Sequence, residues 1–190
     1  MRDYSEDQLV EQPALKLLAD LGWQTVNAFH EIMGVKGTLG RESRAEVVLR
    51  PRLKAALERL NPNASPEMIQ GALEQLTQDR GQMGLVAANR ELYALLKEGV
   101  SVRVSSPDDE GGESLETLRV VDWDTPQNND LLVVSQLWVA GELYTRRTDL
   151  VGFVNGLPLV LFELKAADKR LERAFSDNLR DYKVSIPQLF

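Results

Sequence analysis

Arg147-Thr-Asp149 is followed by thirteen mostly apolar residues and then by Glu163-Leu-Lys165. Two carboxylates and an ammonium group therefore interrupt what reads as the most apolar β-hairpin of the chain. Charges in such a strand are costly unless they are paired or bind a metal. Glu163 and Lys165 lie two apart, so a strand projects both from one face. The face of Asp149 depends on the turn, which the Asn155-Gly156 signal places between the strands. A two-residue loop sets Asp149 against Phe162 and turns it away. A three-residue loop, Asn155-Gly156-Leu157, sets Asp149 against Glu163 and Arg147 against Lys165. The longer loop, or a bulge with the same effect, is expected.

Two facing carboxylates repel, and a divalent cation between them removes the conflict. Hard oxygen ligands select Mg²⁺ or Mn²⁺ over zinc. Such an ion polarises a phosphodiester oxygen and activates a water, while Lys165 orients that water or steadies the developing charge. This is the chemistry of a nuclease. The triplet is not specific by itself, and a surface salt bridge explains it equally well. What favours catalysis is its apolar company, Leu157, Leu159, Val160, Leu161 and Phe162. A second match, Asp181-Tyr-Lys183, falls on a helical stretch, where residues two apart do not share a face.

Other residues narrow the choice. His30 is the sole histidine and there is no cysteine, which excludes di-histidine metal chemistry, thiolate metal sites and disulfides. The glycine-rich segment Gly34–Gly40 is not a phosphate loop, since Arg41-Glu42 stand where Gly-Lys-Ser/Thr is required. Trp23, Trp138, Phe29 and Phe153 read as core rather than as base-stacking platforms. Gln136 reads as a solvent-facing strand position, with a polar contact near the site as the alternative. Arg146 and Arg147 either hold phosphates or pair with Glu142 and its neighbours, and phosphate contact is favoured for Arg147 alone.

The elements that must position these groups change character along the chain. The first half, 1–98, reads as mainly helical. Ser5-x-x-Gln8 resembles a capping box ahead of apolar residues at helical spacing up to Gly22, with a kink or a late start at Pro13. Ser43-x-x-Glu46 is expected to cap a helix ending near Asn61-Pro62. Ser65-Pro66-Glu67 starts the next, and Leu85–Lys97 is a fourth, closed by Gly99. Beyond residue 99 the period shortens. Strands are expected at Val100–Val104, Leu118–Asp122, Leu131–Val139, Leu143–Val154 and Pro158–Lys165, then a helix from about Asp168 to Lys183. That order predicts an α/β (α+β) fold with a mixed sheet flanked by helices, in one domain over 1–190.

At 190 residues and 43% hydrophobic the chain can bury a sizeable core. The net charge of −7 excludes a generally basic coat. Residues 141–190 nonetheless hold eight Lys/Arg against seven Asp/Glu. A local cleft lined by Arg146, Arg147, Lys165, Lys169, Arg170 and Arg173 therefore remains open, beside the reading of ordinary solvated charges. An acidic amino terminus and the lack of a long apolar run predict a cytoplasmic protein.

The segment NNDLLVVSQLWVAGELYTRRTDLVGFVNGLPLVLFELK, followed by AFSDNLRDYKVSIPQLF, resembles the amino-terminal nuclease domain of the type I restriction enzyme R subunit, HsdR. EQPALKLLADLGW and LGRESRAEVVLRPRLKAALERLNP resemble the opening helices of that family. The resemblance implies a PD-(D/E)xK nuclease fold that cuts DNA with Mg²⁺, with Asp149, Glu163 and Lys165 as its catalytic residues. It implies that Asp149 and Glu163 hold the metal, and Glu11 is the candidate for a further acid from the first helix; it reads equally as an exposed helix-start glutamate. The family's helical Gln-x-x-x-Tyr motif appears here as Asn178-Leu-Arg-Asp-Tyr182, a DNA-contacting candidate with one methylene less. Thr148 replaces the usual proline before the aspartate.

R subunits continue into an ATP-hydrolysing helicase motor and a region docking the methyltransferase (M) and specificity (S) subunits. Neither a Walker motif nor a DEAD-like box occurs here, so any ATP dependence is expected from other segments. The apolar finish Ile186-Pro-Gln-Leu-Phe190 suggests a fragment. The leading reading is thus a Mg²⁺-dependent endonuclease acting on unmodified double-stranded DNA. A non-catalytic DNA-binding or docking module with the same fold is the alternative, and an α/β domain with salt-bridged acids is the third.

Overall fold

A computed structural model of the chain describes residues 7–105, 113–165 and 174–190. Ser5, the start of the last helix near Asp168, and Lys169, Arg170 and Arg173 lie outside the described residues. The chain forms two compact units, one comprising residues up to Leu49 together with Leu131–Phe190, the other Arg50–Asp130. The architecture is mixed α/β with a mixed sheet, as the sequence predicts.

The first unit opens with a π-type turn over Asp7–Glu11 that runs into helix α1, Gln12–Asp20, with Pro13 in its first turn. Proline is tolerated there because its missing amide has no partner to lose. Gly22, at φ 93°, ends the helix, and its amide closes on the Ala19 carbonyl at 2.9 Å. Strand β1, Gln24–Asn27, follows, an element that the sequence did not suggest. It pairs in parallel with β4, Leu131–Ser135, and makes the sheet mixed.

Skipping the second unit's strands β2 and β3, described below, this sheet has the order β1-β4-β7-β8. Here β7 is Leu150–Val154 and β8 is Leu157–Phe162. Between β4 and β7 lie two shorter strands, β5 at Trp138–Ala140 and β6 at Thr145–Arg147. The expected strand Leu131–Val139 is thus broken at Gln136, whose φ of 57° bends it. Pairing nevertheless keeps step across the break, with Ser135 opposite Leu150 on one side and Trp138 opposite Arg147 on the other. The two expected strands form one long antiparallel hairpin with a bend in it.

Asn155 and Gly156, at φ 52° and 81°, make a two-residue turn with Val154 opposite Leu157. Left-handed residues at both positions match the twist of the strands. The register then shifts between Gly152, opposite Val160, and Phe153, opposite Pro158, leaving Leu159 as an extra residue. Pro158 cannot donate to a ladder, so the irregularity sits where a hydrogen bond is missing anyway, on an edge strand. The next steps pair Leu150 with Phe162, and that register carried one step beyond the strand sets Asp149 opposite Glu163. The bulge alternative, not the longer loop, sets the register.

One sheet face is covered by α5, Arg180–Ser185, and by the residues after it. Tyr182 and Ile186 are buried with Leu132, Val134, Val151 and Phe153, and Leu189 and Phe190 pack against the same cluster. Each large apolar side chain so buried contributes about 1.5–3 kcal/mol. On the opposite face a Cβ on Gly152 would stand 3.2 Å from both Trp23 and Val160, so only glycine fits without displacement.

In the second unit, helices α2 (Arg50–Leu60) and α3 (Pro66–Thr77) bury Leu53, Ala56 and Leu57, and Ile69, Ala72, Leu73 and Leu76. Ser65 caps α3, its hydroxyl accepting from the Met68 amide at 3.3 Å. Helix α4, Leu85–Glu98, ends at Gly99. Strands β2, Val100–Ser105, and β3, Glu113–Leu118, pair antiparallel. The second strand thus precedes the expected Leu118–Asp122. Val120 and Val121 are buried there without being laddered, because Asp122 instead accepts bonds from Thr125 and Asn128. Ser43 does not cap a helix either. Its hydroxyl accepts from Ala45 in a loop, and α2 begins only at Arg50-Pro51. Among the described residues no helix is long and apolar enough to cross a membrane.

Candidate active site

The bulged register places two carboxylates at the end of the sheet. An Asp149 oxygen, Oδ2, accepts from the Leu164 amide at 2.8 Å, which ties the aspartate to the strand carrying the other acid. Glu163 Oε1 accepts from Lys165 Nζ at 2.6 Å and also from Asn178 Nδ2. The glutamate side chain is only 10% exposed and that of Lys165 20%. Glu163 and Lys165 therefore do share a side, and Asn178 reaches the same oxygen despite its shorter side chain.

Glu163 Oε2 is fully buried and meets no hydrogen-bond donor among the described residues. An unsatisfied buried carboxylate oxygen is expensive, and a cation is the partner that removes the cost. Among the described residues no three of His, Cys, Asp or Glu come together as a metal cage. Asp149 and Glu163 are the two carboxylates of the site that could hold a cation. Mg²⁺ suits such a set, because it keeps several waters and binds through one or two carboxylates plus substrate phosphates.

Tyr182 packs beneath this pair. Its phenol is pushed well above the ordinary tyrosine range by burial first, then by the charge of Glu163 and that of Asp149. The hydroxyl donates to the Arg147 carbonyl at 3.1 Å. Thr148, wholly buried, donates its amide to the Leu137 carbonyl at 2.9 Å. A proline at this position has no such proton, so threonine adds a rung to the hairpin one residue before Asp149.

Glu11 is 6% exposed rather than an exposed helix-start residue, and accepts from Gln136 Nε2 at 2.5 Å. Gln136 in turn donates its backbone amide to the Asp149 carbonyl at 2.8 Å. Glu11 thus adjoins the bend but does not join the two acids in a three-acid group. Gln136 is not the solvent-facing strand position favoured from the sequence. Its only sequence signal was a polar residue within a run of buried ones.

The two arginines have different surroundings. Arg146 forms a two-pronged pair with Asp181, at 2.5 and 3.0 Å, rather than with Glu142. That pair holds the Asp181 carboxyl below the usual range, chiefly through the hydrogen bonds from Arg146. Arg147 is exposed, its guanidinium 5.4 Å from the Phe29 ring centre and 5.6 Å from that of Trp138. Phe29 is 41% exposed and so is not the core residue expected. Arg41 is a buried structural anchor, bonded to Glu31 and to the Glu46 and Trp138 carbonyls.

Residues 3–190 match the family model described as type I restriction enzyme R protein N terminus. The chain is 34% identical over 188 residues to the type I restriction enzyme HindI endonuclease subunit of Haemophilus influenzae, covering 95% of this chain and 17% of that protein. It is 27% identical over 194 residues to the putative type I restriction enzyme MjaIXP endonuclease subunit of Methanocaldococcus jannaschii, covering 98% and 18%. The chain therefore spans less than a fifth of the length of these relatives. With a family match that spans residues 3–190, the chain belongs to the family of type I restriction enzyme R protein N-terminal regions.

Proposed function

We propose that this chain is the DNA-cutting domain of a type I restriction R subunit, hydrolysing phosphodiester bonds of unmodified double-stranded DNA with Mg²⁺. The observation that carries the reading is a buried Glu163 oxygen that has no donor among the described residues, on the strand to which Asp149 is hydrogen-bonded. Asp149 and Glu163 would hold the ion, with Mn²⁺ as a substitute. When bound, the ion polarises a phosphodiester oxygen and makes a bound water more acidic.

The chain's own residues supply the rest. Lys165, now on Glu163 at 2.6 Å, is placed to orient the attacking water or to steady charge on the phosphorus oxygens. Asn178 and Tyr182 hold Glu163 and the backbone before Asp149 in place. Glu11 supports the same region through Gln136, and its role as an additional metal ligand belongs to this proposal. Arg147 stands two residues before Asp149 and contacts DNA phosphate.

The relatives' length and names suggest the setting. In the complete subunit, ATP-driven translocation through segments outside these residues would deliver the DNA, and M and S subunits would supply recognition, in the cytoplasm. A second reading, a non-catalytic DNA-binding or docking module, draws on the closed state of Glu163 Oε1 under Lys165 and Asn178. Nicking of supercoiled plasmid by the full subunit with Mg²⁺ and ATP separates the two. Glu163→Ala and Lys165→Ala should fold yet fail to cut. Normal cutting by both removes the catalytic assignment. Mn²⁺ binding that ignores Asp149→Ala favours the module.

A further inference from the structure

We propose that Arg44 and Arg147, laid over Trp138 with Phe29 beside them, form a subsite for the phosphodiester backbone of the DNA strand next to the cleavage point. The Arg44 guanidinium lies 5.5 Å from the Trp138 ring centre and that of Arg147 lies 5.6 Å from it. Arg147 also covers Phe29 at 5.4 Å, and the two rings are 6.4 Å apart. That the ligand is DNA rests on the nuclease reading above. The anion site itself rests on the cluster.

Among the described residues neither guanidinium group is paired with an acid. Arg41, Arg52, Arg80, Arg119 and Arg146 each pair with a carboxylate. Among the described residues, the Arg44 and Arg147 side chains have no carboxylate and no hydrogen bond, although the chain carries a net charge of −7. Stacking occupies the face of a guanidinium and leaves the N–H groups at its edge for an anion. It also limits the motion of the side chain before the ligand arrives, which lowers the entropic cost of binding. A phosphate oxygen pair matches two such edge donors.

The backbone beneath the cluster is fixed at several points. Trp138 pairs with Arg147 across β5 and β6, and the Trp138 carbonyl accepts from buried Arg41 at 3.0 Å. The Arg44 carbonyl accepts from the Ala140 amide at 2.9 Å, and the Arg147 carbonyl from the Tyr182 phenol. Arg147 and Asp149 are two residues apart, so their Cα atoms are separated by at most about 7 Å. A strand whose scissile phosphate lies at Asp149 and Glu163 therefore carries a neighbouring phosphate past Arg147.

The test is the binding of a short DNA duplex to the intact subunit, without divalent metal, over a range of salt concentrations. Arg44→Gln should raise Kd several-fold at 0.1 M salt and flatten the plot of log affinity against log salt by about one, the mark of a lost phosphate contact. Arg44→Lys should restore the slope, and Lys54→Gln, the removal of a cation elsewhere, should not change it. An unaltered slope in Arg44→Gln, or an equal loss in Lys54→Gln, overturns the subsite. Because binding is read without metal, a subunit that never cuts but loses affinity in Arg44→Gln retires the nuclease reading and leaves the subsite standing. A subunit that cuts but shows no change in slope does the reverse.

Discussion

Gln136 and Asp149 stand opposite each other at the bend of the long hairpin, amide to carbonyl at 2.8 Å, while the Gln136 side chain reaches back to Glu11 at 2.5 Å. One residue thereby joins the buried glutamate of the turn before helix α1 to the chain segment that presents the first acid. Its φ of 57° costs a non-glycine residue about 1–2 kcal/mol. Gln136→Leu should lose the donor to Glu11 and keep the strained backbone, with a destabilisation of about 1–3 kcal/mol. Gln136→Gly loses the same donor but relaxes the backbone, so it should unfold at a higher urea concentration than Gln136→Leu. Equal midpoints would remove the backbone argument.

A metal between Asp149 and Glu163 should show in stability before it shows in cutting. Mg²⁺ at a hundred times its Kd stabilises a native-state site by about 2.7 kcal/mol. Wild-type chain should melt later with millimolar Mg²⁺ or Mn²⁺, and Glu163→Gln should not. Equal metal-induced shifts in both proteins would place the ion elsewhere.

Tyr182 makes an alkaline prediction. Its folded pKa lies above the ordinary value of about 10, so the native state keeps a proton that the unfolded state loses. Stability is then complete below pH 10 and declines as pH rises beyond it. Tyr182→Phe should lessen that decline, and phenolate absorbance near 295 nm should show one late-ionising tyrosine missing from the variant. Identical alkaline titrations would contradict the burial and charge given for the phenol.

Asp181 acts at the other end of the scale. Arg146 holds its carboxyl low, so the ion pair stabilises the native state above the ordinary aspartate pKa near 4 and is lost as pH falls through the folded value. Urea unfolding of Asp181→Asn should depend less on pH in that acid range. Asp122, held low first by its hydrogen bond from Asn128, contributes with the same sign and leaves a residual slope. A variant with the full wild-type slope would show the pair to be without effect.

The hairpin was legible because its signals are local. Asn155-Gly156 dictates the turn, and the apolar run names the buried strands. The choice between two faces for Asp149 turned on a bulge, for which Pro158 was the local cue. The strand Gln24–Asn27 escaped notice because it is short and mostly exposed, with an edge role that demands no alternation. Ser43 misled because a hydroxyl that accepts a nearby amide serves a loop as well as a helix. Phe29 and Trp138 were assigned to the core on residue type alone. Their arginine partners come from positions 44 and 147, and no spacing rule connects those to the rings.

The extra residue Leu159 also makes the hairpin asymmetric towards changes in its length. Loss of one codon between Leu159 and Phe162 straightens the ladder and keeps the residue at position 163 across from Asp149. Gain of one codon there carries the second acid past its counterpart, and a further bulge would be needed to bring it back. A shortened hairpin therefore keeps the acids across from each other, and a lengthened one separates them.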